Sequence, residues 1–586
     1  MSDHRNMILA IVLSMIVLLG WNLVAERFFP TANPPSTKIE DGKARPLPPG
    51  PGQGSPAGAP SVVTGAPSPA QPTVRSVEAV RAATPRVAIE SPRLSGSINL
   101  VGARIDDLVL TTHRETIAAN ARPVRLFAPS GSPRAYFASF GWTDTGPSYP
   151  SPATRWNASG TRLTPATPIT LWWDNATGQR FEIRLSIDEG YMFGVEHKVT
   201  NRGGGAVAAR PFALVSRADK SRDSDSWTYH VGPVGVFNDA ANYDWSFDKL
   251  SEEGSQRFST TGGWIGFTDQ YWLTAVIPDQ RIAVDAGFES AAGQGFQAVA
   301  APAPAIVGPG QASTYRSRLF AGAKEIALLD LYEEQGVARL DKAIDWGWFE
   351  WFMKPIFTLL NWLFASLGNF GVAIICLTLI VRLIMFPIAQ KQFASMAGMR
   401  VLQPKMKVLQ EKYADDKPKL QQEMLKLYQE EKVNPMAGCL PILIQIPIFY
   451  ALYKVLLVAV EMRHKPFALW IEDLAAPDPL TPVNLFGFLP FTPPSFLALG
   501  VLPILLGVTM WLQFKLNPPP TDPVQKQVFA FMPWILMFVM APFAAGLQLY
   551  WTVNNVLTIA QQKWLYYRYD HEMNPPAEVD AVVVKK

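Results

Sequence analysis

Five apolar spans fill the C-terminal part of the chain, at about 369–389, 436–459, 496–516, 528–546 and 547–566, and one of them carries an arginine. Spans near 20 residues match the roughly 30 Å hydrocarbon core of a bilayer at 1.5 Å per residue. Between Pro355 and Phe386, and through each later span, no Asp or Glu occurs. Arg382, in Cys376-Leu-Thr-Leu-Ile-Val-Arg382, therefore has no intramembrane carboxylate to pair with. A buried charge costs roughly 2.5–3.5 kcal/mol on insertion scales, so it is expected to face a wet cytoplasm-facing cavity or to snorkel to the headgroups. The missing acids disfavour a proton- or cation-coupled carrier.

An earlier apolar run, Met7–Val24, is about 27 Å long as a helix. Ala25-Glu26-Arg27-Phe28-Phe29 follows where a cleaved signal peptide would have a small-x-small site, so an uncleaved anchor over 1–29 is predicted, with a cleaved signal as the alternative. Residues 30–84, as in PLPPGPGQGSPAGAP, cannot bury a core and are predicted to be a disordered linker. From 85 to 325 the pattern changes. Phe181-Glu182-Ile183-Arg184-Leu185-Ser186-Ile187-Asp188 alternates apolar and polar, the mark of a half-buried antiparallel strand. Short runs of this kind recur between Gly, Pro and Asn, which predicts a large β-sandwich. His113, His197 and His230 lie there, but no short spacing pairs an acid with a base. Residues 326–368 read as a connector ending in an interfacial helix, because Trp346 to Phe352 is dense in aromatics.

Orientation follows from the basic residues. The loop 391–435 carries nine, from Lys391 to Lys432, whereas 461–495 carries only Arg463 and Lys465. The loops 391–435 and 517–527 and the tail 568–586 are thus predicted to be cytoplasmic, and the β domain and loop 461–495 to lie outside. With the anchor this gives six spans with both termini inside, the last two joined by a tight turn near Ala545-Gly546.

Thr378, Gln445, Thr509, Gln513, Gln548, Thr552, Asn554, Asn555 and Thr558 dilute the spans with polar groups. Each could be interhelical glue; with Arg382 they could also line a hydrophilic pocket. In the cytoplasmic segment, Met396, Met399, Leu402, Met406, Leu409 and Tyr413 recur at intervals of 3 and 4. Asp415-Asp416-Lys417-Pro418 marks a turn, with Asp416 a possible N-cap and Pro418 a first-turn residue. Leu420, Met424, Leu427 and Tyr428 continue on a second helix, giving an antiparallel coiled-coil hairpin. Its Met-bearing surface either packs on itself or holds flexible apolar partners. The two cysteines, Cys376 and Cys439, lie in apolar stretches and the six histidines form no metal-ligand pair, so no metal or cofactor is expected. A net charge of +3 argues against nucleic-acid binding.

The strings IVRLIMFP, KMKVLQEKYADDKPKLQQEMLKLYQEEKVNPMAGCLPILIQIPIFYALY, PFALWIEDL and GLQLYWTVNNVLTIAQQ resemble the YidC/Oxa/Alb family of membrane protein insertases, in its long Gram-negative form. GGWIGFTDQYWLTAVIP and FAGAKE carry a looser likeness in the outer domain. The resemblance implies a non-enzymatic insertase and chaperone of the bacterial inner membrane: six transmembrane helices, five forming the core, a large periplasmic β-supersandwich, and a cytoplasmic helical hairpin. It implies a groove open to cytoplasm and lipid, with Arg382, Thr378 and the pair Tyr550-Trp551 in it; the family more often has tyrosine where Trp551 stands. Implied partners are nascent inner-membrane proteins, the Sec translocon, the ribosome and targeting machinery, and the bilayer. An anion channel or carrier built on Arg382, and a membrane-anchored glycan-binding protein, are the competing readings.

Overall fold

The computed structural model describes residues 37–40, 43–46, 75–144, 148–223, 228–291, 295–347, 349–413, 416–431, 440–489, 491, 499–516 and 523–568. The predicted anchor 1–29, Asp415 and the tail beyond 568 lie outside these residues. Two compact units emerge. One comprises Met1–Ala59 and Pro519–Phe531, the other Pro60–Pro518 and Met532–Lys586.

In the first unit, Thr37–Glu40 and Lys43–Pro46 pair antiparallel, Thr37 opposite Pro46 and Glu40 opposite Lys43. Both strands fall in the stretch expected to be disordered. So does α1, Val77–Ala82, in the second unit. Ser76 caps α1 by accepting from the Ala79 amide at 3.2 Å, and Val80 is buried. One capped turn with a buried anchor suffices to order the end of a Pro-rich segment, so the ordered domain begins before residue 85.

Among the described residues, the β domain has two large sheets, of nine and ten strands. The strand Gln179–Ile187 lies in the nine-stranded sheet between Ile169–Asp174 and Met192–Asn201, antiparallel to both. Its Phe181, Ile183, Leu185 and Ile187 are buried, as the alternation requires. The sheets meet face to face through such rows. His197 of one sheet has its ring 5.3 Å from Trp142 and 6.3 Å from Phe140 of the other. Burial pushes its imidazole down to about 3, so it is a neutral core residue. Among the described residues, two further short helices decorate the domain, α2 (Phe247–Glu253) and α3 (Ile326–Glu334).

Helix α4, Glu350–Leu367, follows. Met353, Phe357, Leu360 and Leu363 form its buried stripe, while Trp351 and Trp362 are exposed. Gly368, at φ 72°, closes α4 in the left-handed conformation that glycine adopts cheaply. Asn369 then caps α5 by accepting from the Val372 amide at 3.1 Å.

Helix α5 runs unbroken from Phe370 to Lys412. The boundary expected near residue 390 is a change of polarity, not of backbone: nothing between Gln390 and Arg400 stops a helix, and Pro387 and Pro404 are accommodated within it. Helix α6 (Lys417–Glu430) is followed by α7 (Leu440–Val458), α8 (Val501–Leu516), α9 (Pro523–Met540) and α10 (Ala545–Arg568). The turn before α10 thus occupies 541–544, slightly earlier than expected. Among the described residues, Phe370–Gln390 is long and apolar enough to cross a membrane; Gln445–Val458, Val501–Leu516 and Lys526–Met540 are shorter apolar helices. Helix α10 packs on α5, α7 and α8.

Candidate functional site

The site begins with helix spacing. Asn554, Thr558 and Gln561 stand at i, i+4 and i+7 on α10 and share one face. All three reach Arg382 on α5. Its Nε donates to Asn554 Oδ1 at 2.9 Å and one Nη to the Asn554 carbonyl at 3.0 Å. Another Nη donates to Gln561 Oε1 at 3.2 Å, and the Thr558 hydroxyl accepts a further bond. Among the described residues no carboxylate pairs with this guanidinium. Four of the five guanidinium N–H donors are thus hydrogen-bonded to neutral groups, and the charge is not cancelled. On the same helix, Leu383 and Ile384 are 72% and 68% exposed, so α5 turns an apolar side outward and its arginine toward α10.

One turn before Asn554, Tyr550 extends the polar face. It is buried, and its hydroxyl is bonded by Gln445 Nε2 of α7. Arg382, Gln445, Tyr550 and Asn554 therefore belong to one continuous polar stripe, which Thr558 and Gln561 lengthen. Trp551 packs edge-on against Phe449 with ring centroids 4.9 Å apart. Asn555 turns away from the stripe and donates to Thr509 of α8 at 3.2 Å. Gln513 is half-buried on α8.

Two expected pocket residues are engaged otherwise. Thr378 lies one turn before Arg382 but is buried, and its hydroxyl donates to the Ile374 carbonyl at 2.7 Å within its own helix. Gln548 is fully buried and sits outside the stripe. Its Nε2 donates to the carbonyls of Met540, Phe543 and Ala541 at 2.9, 2.8 and 3.3 Å. These are carbonyls at a helix end and a turn, which lack helical partners. Polarity in an apolar helix signals a partner, without saying which.

Lys454 was not singled out from sequence. It is a second cation in an apolar helix, and it is buried. Its ammonium donates to the carbonyl of Thr228 in the β domain. Nearby, Gln270 Nε2 donates to the Leu457 carbonyl at 3.0 Å, and Glu461 accepts from the Ile326 amide at 2.8 Å. Arg463 donates to the carbonyls of Arg114 and Glu115 at 2.7 and 3.1 Å. The end of α7 is thus tied to the β domain at several points. The only available sequence signal was a lysine near the end of an apolar run.

In the segment after residue 390, Leu402 and Met406 are buried and Met424 is half-buried. The Tyr428 hydroxyl meets Met406 Sδ at 3.9 Å, so Met406 packs inside the seam between α5 and α6. Met396 and Met399 lie on α5 with side chains outside the described set. Asp416 Oδ1 caps α6 by accepting from the Lys419 amide at 3.1 Å, with Pro418 in its first turn. Lys405 and Glu431 close the far end at 2.6 Å. Of the other histidines, His113 Nε2 lies 3.5 Å from Glu325, and His230 Nε2 lies 2.8 Å from the Pro233 carbonyl. Among the described residues, no three His, Cys, Asp or Glu side chains could hold a metal.

Residues 362–572 match the family described as 60Kd inner membrane protein, and residues 86–359 match the YidC periplasmic domain. The chain is 46% identical to the membrane protein insertase YidC of Zymomonas mobilis, over 97% of this chain and 96% of that protein. It is 42% identical to that of Rhizobium etli, with the same shares covered. The chain belongs to the YidC membrane protein insertase family. It is an inner-membrane insertase with a periplasmic β domain. A crystal structure of an active YidC insertase with its first transmembrane domain resolved aligns over 81% of this chain and 94% of that one, at 19% identity and a TM-score of 0.36.

Proposed function

We propose that this YidC insertase moves short polar tails through a hydrophilic groove built on the Arg382 stripe. The supporting observation is that Arg382 is held by Asn554, Thr558 and Gln561, all neutral. Four hydrogen bonds fix its geometry while its charge stays available. At an effective dielectric of about 20, one close ion pair is worth about 4 kcal/mol before desolvation. That attraction offsets part of the cost of drawing an acidic tail out of water, and the apolar span then leaves sideways into lipid. Gln445, Tyr550 and Asn554 hydrate the path, Gln513 and Trp551 flank it, and Thr378 and Gln548 shape its helices.

The topology in this reading has six spans, both termini in the cytoplasm, and the β domain and the 461–495 loop in the periplasm. The α5–α6 hairpin receives the nascent segment on the cytoplasmic side, beside the ribosome or the Sec translocon. No covalent step, nucleotide or metal enters the mechanism.

The test is reconstitution of the protein alone in proteoliposomes with a single-span substrate carrying an acidic tail. Tail protection from external protease is scored for wild type, Arg382→Ala and Arg382→Lys. Protection with wild type and Arg382→Lys but not Arg382→Ala supports the charged groove. Undiminished protection with Arg382→Ala removes the arginine from the mechanism. Ion flux through empty protein-bearing vesicles would favour a channel instead.

A further inference from the structure

The outer face of the nine-stranded sheet carries a cleft of about 510 Å³. Three neighbouring strands build its floor in two ranks. Arg184, Glu196 and Arg316 stand in register in one rank, and Ser186, Gly194 and Arg318 in the next. Leu185, Val195 and Ser317, between them in sequence, are buried, so these six positions face away from the core. Gly194 makes the hollow: a Cβ there would meet Ser186 Oγ at 2.5 Å. The loop from Pro278 to Arg281 and the pair Gln335-Gly336, just past α3, form the walls.

The cleft holds four arginines, with Glu196 and Asp279 as its carboxylates. Both acids are engaged. Glu196 accepts from Arg316 Nε at 2.8 Å, and Asp279 accepts from the Arg281 amide at 2.9 Å. Arg318 spends one Nη on the Gln335 carbonyl at 3.4 Å and keeps the rest of its fork. Among the described residues, Arg184 and Arg281 ion-pair with no carboxylate. Guanidinium forks match tetrahedral oxyanions in two-point contacts. The volume far exceeds a bare anion and lies in the range of about 300–1,000 Å³ typical of small-molecule sites. Ser186 and the Gln335 side chain add neutral hydrogen-bonding groups beside the charges.

We propose that this cleft binds a phosphate-bearing polyol, either free or as the glycerophosphate headgroup of a phospholipid. Arginines take the phosphate, and the serine and glutamine take hydroxyls. Gln335 precedes Ala338, whose amide donates to Gln280 Oε1 at 3.1 Å. An occupant would therefore brace the connector after α3 against the sheet.

The experiment uses the full chain in phosphatidylcholine nanodiscs, titrated with sn-glycerol 3-phosphate and with glycerol in calorimetry. A second arm compares deuterium exchange at 184–186 and 316–318 in phosphatidylglycerol and phosphatidylcholine nanodiscs. Saturable binding of the phosphate ester, absent for glycerol, is expected, with at least tenfold weakening in the Arg184→Ala/Arg318→Ala pair and in Gly194→Val. The Arg184→Lys/Arg318→Lys pair keeps charge and fold and should lose less. Protection only by phosphatidylglycerol, abolished by the alanine pair, assigns the headgroup as the source. Absence of both signals overturns the proposal, as does binding that survives the alanine pair in a protein of unchanged melting temperature.

Discussion

Gln548 Nε2 lies 2.9 Å from the carbonyl of Met540, so a side chain inside α10 closes the end of α9. The same amide bonds the turn carbonyl of Phe543. Gln548→Leu fills similar space but leaves buried acceptors unmet, which costs about 1–3 kcal/mol. The expected result is a lower melting temperature in nanodiscs and faster amide exchange at 545–548. Unchanged exchange there would show the turn to be held by its backbone alone.

Asn554 supplies the side-chain acceptor for Arg382 Nε. Asn554→Leu removes a hydrogen bond to a charged group, worth about 1.5–3 kcal/mol. Insertion of an acidic-tailed substrate should slow by roughly tenfold, the kinetic equivalent of about 1.4 kcal/mol. A neutral-tailed substrate should slow less. Equal slowing of both in the proteoliposome assay would mean the residue serves only packing.

Helix α6 depends on a cap and a seam. Asp416→Ala removes the cap bond to the Lys419 amide and should cost about 1 kcal/mol. Met406→Ala opens the seam under Tyr428 and should cost about 2–5 kcal/mol if neighbours do not collapse. Deuterium exchange across Lys417–Glu430 reads both changes, and the second should exceed the first.

Two acids at the junction of the β domain and α7 respond to pH with opposite sign. Burial pushes the Glu461 carboxyl up to about 7, against the Glu461 and Ile326 amides, which lower it, and with the charge of Glu325, which raises it. Its ordinary value is 4.5, so its contribution is full below that and is lost as pH rises to about 7. Glu325 is also raised by burial, but the imidazole of His113 at 3.5 Å, hydrogen bonds from Tyr191 and Arg93, and the Arg93 charge hold it down to about 2. Its contribution is present above 4.5 and lost as pH falls toward 2. Glu461→Gln should therefore raise the melting temperature at pH 7.5 and flatten its decline between pH 4.5 and 7. A parallel, merely shifted profile would remove Glu461 as the cause.

The strand Gln179–Ile187 and the Asp416 start of α6 were legible because their causes are local: alternation in one case, a capping carboxylate before proline in the other. The charge of Arg382 without an acid was legible too, since absence of Asp and Glu along a span needs no structure. Of its three partners on α10, Asn554 and Thr558 stood among the polar residues expected to share a pocket with it, whereas Gln561 did not, because the pairing follows from which two helices meet. The role of Lys454 depends on a carbonyl 226 residues away in the chain. Val77–Ala82 was hidden by averaging composition over a long Pro-rich stretch, although Ser76 and Val80 carry its cap and anchor.

Because α5 has no interruption between Phe370 and Lys412, Arg382 and the far end of the α5–α6 seam belong to one rod. Thirty residues separate Arg382 from Lys412, about 45 Å of helix. A tilt of about 10° about the arginine carries the far end roughly 8 Å sideways, at a rise of 1.5 Å per residue. Any load applied to the α5–α6 hairpin thus becomes torque at the guanidinium. Pro387, just over a turn beyond Arg382, lacks the amide that would bond residue 383, and is the place where such a rod bends most cheaply.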